Sequence, residues 1–134
     1  MKTLLVTLVL FFLSTKLLVG QEQKGAIIAV DREIHNFGKI LPDNIPGGNL
    51  AFTVYNQGDE PLLLTNVRAC CGTRVVDYPK APIAVGDSGK VEVSWRIHPR
   101  PHRINRTVTL TSNASNRQTY ILRIRGEVVM PEEE

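Results

Sequence analysis

The chain has 134 residues, 43% of them hydrophobic and 22% charged, with a formal net charge of +3. That is one domain with a packed core, too short for two and too apolar for a disordered chain. Two of the positive charges belong to the N-terminal leader; without Lys2 and Lys16, 14 basic residues face 13 acidic ones and the net charge is +1, which excludes a globally basic nucleic-acid binder.

Lys2 followed by the apolar run Leu4 to Leu13 has the form of a secretory signal, with cleavage expected after Gly20. The run is short and Lys16 interrupts it, whereas a membrane helix wants roughly 20 apolar residues. The expected organisation is a signal peptide over 1–20, a flexible lead-in over 21–25, a domain over 26–130 and an acidic tail over 131–134. The mature protein is then secreted or periplasmic, with no stable membrane span after cleavage.

Ala26 to Val30 and Ile34 to Phe37 read as one edge strand interrupted at Asp31-Arg32-Glu33, and Gly38 to Asn49, with Pro42, Asp43, Asn44, Pro46, Gly47 and Gly48, reads as a loop. Leu50 to Tyr55 alternates, turning Leu50, Phe52 and Val54 inward. Leu62 to Ala69 is a further strand that ends at the cysteines, and Arg74 to Tyr78 is a short one. After the turn Gly86-Asp87-Ser88-Gly89, the plainest strand places Val91, Val93, Trp95 and Ile97 on one face, burying the only tryptophan. His98 to His102 is a proline-broken connection. Ile104 to Ser112 follows with Val108 and Leu110 inward, and Gln118 to Val129 alternates with Ile121 as the exception. No amphipathic helical period occurs in the mature chain. About seven short strands separated by turns predict an all-β fold, a single immunoglobulin-like antiparallel β-sandwich. The two cysteines are adjacent and cannot bridge two sheets, so the domain is not of the antibody type.

Phe37-Gly38-Lys39-Ile40, Asn56 to Leu62, the cysteine pair with Gly72-Thr73, Tyr78-Pro79, Ile83 to Gly89 leading into Val91-Glu92-Val93, Ser112-Asn113-Ala114 and Ile124 to Val128 resemble, in order, the bacterial domain-of-unknown-function family 1573. The resemblance spans nearly all of the mature chain. It implies an immunoglobulin-like domain of the Hydin and major-sperm-protein group, common in exported proteins of Bacteroidetes-type bacteria, with no settled biochemical role. The family pattern has Cys-Gly-Cys before Thr; here Cys70-Cys71-Gly72-Thr73 exchanges the glycine and the second cysteine.

In an extended strand Cys70 and Cys71 point to opposite faces, so they meet only if the chain leaves β conformation, which Gly72 permits. A disulfide between neighbours is strained, because Cα atoms about 3.8 Å apart fall short of the roughly 4.4–6.8 Å that disulfides prefer. Three readings compete: small structural thiols, a redox-labile disulfide, or a soft-metal site, for which His35, His98, His102 and Met130 are the further ligand candidates. Zinc wants four spaced ligands, which leaves copper(I) as the metal least at odds with the pattern. The structural or oxidised reading ranks first, since no second ligand cluster accompanies the pair.

Strand parity places the connections 38–49, 70–73 and 98–103 at one end. His98, Arg100, His102 and Arg103, with Arg96 and Arg106 beside them, form an interaction loop suited to an anionic partner. Gly86-Asp87-Ser88-Gly89 copies a protease nucleophile turn, but the chain is too short for the double barrel such enzymes need, and these residues are good turn formers. The expectation is therefore a non-enzymatic exported module that binds or scaffolds an envelope or extracellular protein or glycan through its edge strands or its loop end. Neither a cofactor, a catalytic residue, a metal nor a nucleic acid enters this reading. The alternative is a thiol-redox or copper(I)-handling protein using Cys70 and Cys71.

Overall fold

A computed structural model describes residues 24–132; the expected signal peptide, most of the lead-in and the last two glutamates lie outside the described residues. The strands are β1 (Ile28–Val30), β2 (Ile34–Ile40), β3 (Asn49–Asn56), β4 (Leu64–Ala69), β5 (Thr73–Asp77), β6 (Ser88–Trp95), β7 (His102–Ser112) and β8 (Thr119–Val128), with one 3-10 turn at Pro42–Asn44. They form two four-stranded sheets, ordered β1-β3-β6-β5 and β2-β8-β7-β4. No described helix is long and apolar enough to cross a membrane.

The period-2 segments form strands because alternation gives each sheet one apolar face, and the two faces bury each other. Phe52, Val54, Val91 and Val93 from the first sheet meet Val108, Leu110, Leu122, Ile124 and Val128 from the second, all fully or almost fully buried. Trp95 is buried as expected and packs edge-on against Phe37, with ring centroids 5.3 Å apart. Leu50 and Ile97 are only half-buried at the rim, and Ile121 points outward.

The N-terminal region corrects the sequence reading. Ala26–Val30 and Ile34–Phe37 are not one interrupted strand; they belong to different sheets, which raises the count to eight. β1 runs antiparallel to β3, whereas β2 runs parallel to β8, the only parallel strand pair among the described residues. The chain changes sheets at Asp31-Arg32-Glu33 because both ends of that tripeptide are held. Asp31 exchanges bonds with Thr53, its N–H donating to the Thr53 carbonyl (3.0 Å) and its carboxylate accepting from the Thr53 N–H (3.1 Å). Two residues on, the Glu33 carbonyl accepts from Arg123 N–H of β8 (2.8 Å). The Glu33 carboxylate also accepts from the Tyr120 hydroxyl (2.6 Å) and from Arg117 (3.1 Å), clamping the start of β2 on β8.

The predicted loop 38–49 is shorter than expected, since Gly38 to Ile40 complete β2 and buried Ile40 pairs with Val128. Likewise His102 and Arg103 are the first residues of β7 and not part of a loop. Ser88 opens β6 as the ladder partner of Tyr55, at the end of the sandwich away from His98 and His102.

Candidate functional site: a thiol corner over a buried arginine

β4 lies at the edge of one sheet and β5 at the edge of the other, so the chain must turn a corner between Ala69 and Thr73. Cys71 (φ +62°) and Gly72 (φ +78°) both adopt left-handed backbone, and the Thr73 N–H donates to the Cys70 carbonyl (3.1 Å). Positive φ at both central residues is the signature of a type I′ turn, in which Asn-Gly or Gly-Gly is usual. Cys71 is the only non-glycine residue with positive φ among the described residues, a placement that costs about 1–2 kcal/mol.

Leaving β conformation turns the two thiols to one corner, where they shift each other's titration in opposite directions. Cys70 is half-buried and Cys71 exposed, and both are free. The Cys70 sulfur accepts from the Thr107 hydroxyl (3.3 Å) and the Thr107 N–H (3.4 Å), while Cys70 N–H donates to the Thr107 carbonyl (3.1 Å).

Beneath the turn lies Arg106. β7 alternates Ile104, Arg106, Val108 and Leu110 toward the core, so the guanidinium enters the space between the sheets and is only 8% exposed. It donates to the carbonyls of Arg96 (2.5 Å) and Gly72 (3.4 Å), and lies 3.8 Å from where a Gly72 Cβ would stand. Trp95 and Thr73, opposite each other across the β5–β6 ladder, complete this corner.

The electrostatics separate the two sulfurs. The Cys71 thiol, then the Thr107 hydroxyl and N–H, and lastly the Arg106 charge hold Cys70 below the ordinary thiol range against a smaller penalty from burial. Cys71 is pushed up, first by its hydrogen bond to Cys70. Burial lowers Arg106, and the two thiols, Cys71 before Cys70, oppose that shift. Since the thiolate is the nucleophile, Cys70 is expected to alkylate at lower pH than Cys71 although it is the less exposed. Peptide mapping after brief iodoacetamide treatment across a pH series checks this; Cys71 reacting first would contradict it.

The remaining predicted residues surround the corner. The connections 41–48, 70–72 and 96–101 do share one end of the sandwich: Trp95 N–H donates to the Gly48 carbonyl (2.9 Å), and Arg96 N–H to the Gly72 carbonyl (3.3 Å). His98 and Arg100 are exposed on the last of these connections. The carbonyl of Arg100 accepts from His102 Nδ1 (2.7 Å), and its N–H donates to the His98 carbonyl (2.8 Å). The three histidines do not gather on the sulfurs, and His35 is instead bonded to Arg32 (3.0 Å). Arg103 lines a groove of about 480 Å³ together with Lys39 and Arg125, opened where the β2–β8 register slips between Asn36 and Lys39.

Arg106, expected beside the exposed loop, is instead buried at this candidate site. The signal was present, since Arg106 has the same parity as Val108 and Leu110. Thr107 as the partner of Cys70 had none, because it depends on the β4–β7 register.

An immunoglobulin-like sandwich with a thiol turn over a buried arginine is the class of domain that these features define. The chain belongs to the family described as protein of unknown function (DUF1573), whose model matches residues 28–128. No curated protein matches the sequence. Among solved structures, the chain is similar to a protein of unknown function from Porphyromonas gingivalis W83 (13% identity, TM-score 0.61), over 84% of this chain and 51% of that one. It is also similar to the secreted serine protease VesC from Vibrio cholerae (17% identity, TM-score 0.61), over 76% of this chain and 23% of that one. This chain thus spans about half of the first protein and about a quarter of the second. At these identities the likeness is one of fold.

Proposed function

We propose that this domain is an exported, non-enzymatic binding module that docks an anionic envelope or extracellular component, protein or glycan, on its loop end. The observation that carries this reading is the gathering there of Lys39, Arg96, Arg100, Arg103 and Arg125 around one carboxylate of the groove, Glu127, which lies across the ladders from Lys39 and Arg103 without forming an ion pair to either. Among the described residues the only ion pairs are Arg32–Asp31 and Arg117–Glu33, both on other parts of the molecule. Unpaired cations on a rigid scaffold are open to a partner's carboxylate, sulfate or phosphate groups, and arginine is suited to bidentate recognition of them. Arg103 joins the two parts of the surface, since it is the second residue of β7, beside the 96–101 connection, and also lines the groove with Lys39 and Arg125. Export rests on the leader over 1–20, and VesC, of which about a quarter is similar in fold, is a secreted protein.

The test compares the mature chain with an Arg100→Glu/Arg103→Glu variant for binding to dextran sulfate, with neutral dextran as control. The wild type is expected to bind only the sulfated polymer and to release it as salt is raised. The variant should bind about 10- to 100-fold more weakly, as losing one or two charge-assisted contacts implies. Equal binding by the variant, or no binding by the wild type at low salt, would reject the proposal.

A further inference from the structure

Arg106 presents an unbalanced charge. A guanidinium withdrawn from water costs several kcal/mol unless an anion meets it, and the carbonyls of Arg96 and Gly72 accept two of its N–H bonds without supplying a negative charge. No carboxylate among the described residues pairs with it. The groups near it that can become anionic are Cys70 and Cys71, held together by a turn that accepts left-handed strain at Cys71 to do so.

We infer that Cys70, Cys71 and Arg106 form a binding site for one soft monovalent cation, copper(I), held between the two sulfurs with the guanidinium as counter-charge. The charges balance: two thiols release two protons and take up one copper(I), leaving a bis-thiolate unit of charge −1 against the +1 of Arg106. The ligand number selects the ion. Thiolates suit copper(I), zinc and iron–sulfur clusters, but structural zinc and the clusters take about four ligands. No group of three or more His, Cys, Asp or Glu residues that could hold a metal occurs among the described residues.

The surroundings fit the same role. Thr107 directs two donors at the Cys70 sulfur, the outer-shell bonding that orients a ligand. Exposed Cys71 leaves a way in for the ion. The neighbouring Cα atoms are too close for a relaxed disulfide, which keeps the thiols available. This site goes beyond the docking of an anionic partner and stands or falls separately, since its test contains no polyanion.

The test is a competition for copper(I) under anaerobic, reducing conditions, with bicinchoninate as the coloured chelator. The mature chain is expected to withdraw one copper(I) per molecule, and Cys70→Ser and Cys71→Ser are each expected to abolish the withdrawal. Arg106→Gln should weaken retention by about 10- to 100-fold, the effect usual for outer-shell partners, while Arg106→Lys keeps the charge and retains most of the affinity. A thermal melt of each variant establishes that it is folded. The serine substitutions lie on a turn at the surface, so they decide the site even if Arg106→Gln does not fold. No withdrawal by the reduced wild type, or equal withdrawal by the Cys70→Ser/Cys71→Ser double variant, would overturn the inference. Undiminished affinity in folded Arg106→Gln would overturn the role of the counter-charge.

Discussion

Asn56→Ala is expected to destabilise the domain by about 3–5 kcal/mol, because it removes a buried side chain that partners four buried or partly buried backbone groups. Asn56 is 1% exposed at the end of β3. Its amide donates to the carbonyls of Glu60 (2.7 Å) and Ile83 (3.0 Å), and its side-chain oxygen accepts from the N–H groups of Gly58 (3.0 Å) and Ile27 (3.4 Å). Three separate segments are thereby fastened at one point. The fit around it is close: a Cβ on Gly58 would fall onto the Gly25 carbonyl oxygen and within 2.5 Å of the Ile27 nitrogen. Asn56→Asp should be at least as damaging, since it would face two carbonyl oxygens with a carboxylate. Urea unfolding followed by Trp95 fluorescence measures both; a loss below 1 kcal/mol for Asn56→Ala would show that the corner is held by backbone alone.

Phe52→Ala is expected to cost about 3–5 kcal/mol, the range for truncating a fully buried aromatic side chain. Its effect should not stop at the cavity. The Arg32 guanidinium lies over the Phe52 ring, 4.8 Å from its centroid, and donates to the Ala51 carbonyl (3.0 Å) and to His35 Nδ1 (3.0 Å). Phe52 is therefore the floor on which the crossover between β1 and β2 is built. Hydrogen exchange should report faster opening at the Arg123 amide, which bonds to Glu33, whereas Phe52→Leu, which keeps most of the volume, should lose less than about 1.5 kcal/mol. An Arg123 amide as protected in Phe52→Ala as in the wild type would separate the core from the crossover.

The period of the side chains was legible wherever one face of a strand is buried. Val91, Val93 and Trp95 in β6 and Tyr120, Leu122 and Ile124 in β8 could be oriented by alternation alone, and strand parity was enough to bring the turn at Cys70 and the connection carrying Arg100 to one end. Partner choice was not legible. Nothing in Asp31-Arg32-Glu33 distinguishes a break within a strand from a passage between sheets, because the difference lies in which distant backbone groups, those of Thr53 and Arg123, receive the bonds. The parallel pairing of β2 with β8 was hidden for the same reason, and with it the groove between Lys39, Arg103 and Arg125. The turn at Cys70-Cys71-Gly72 illustrates the division. Its need to leave β conformation follows from two adjacent cysteines and a glycine, while the donors from Thr107 and the charge of Arg106 arrive through a register with a strand more than thirty residues away. Arg106 itself was within reach, for the alternation that turns Val108 and Leu110 inward turns it inward too.

The proposed binding makes the loop end, and not an exposed sheet edge, the working surface. Amide chemical-shift mapping of the mature chain titrated with dextran sulfate tests it most directly. Perturbations are expected only at Lys39, the connection from Arg96 to Pro101, Arg103 and their neighbours, with the outer edges of β1 and β5 unmoved. Shifts concentrated along β1 or β5, or none at low salt, would contradict it.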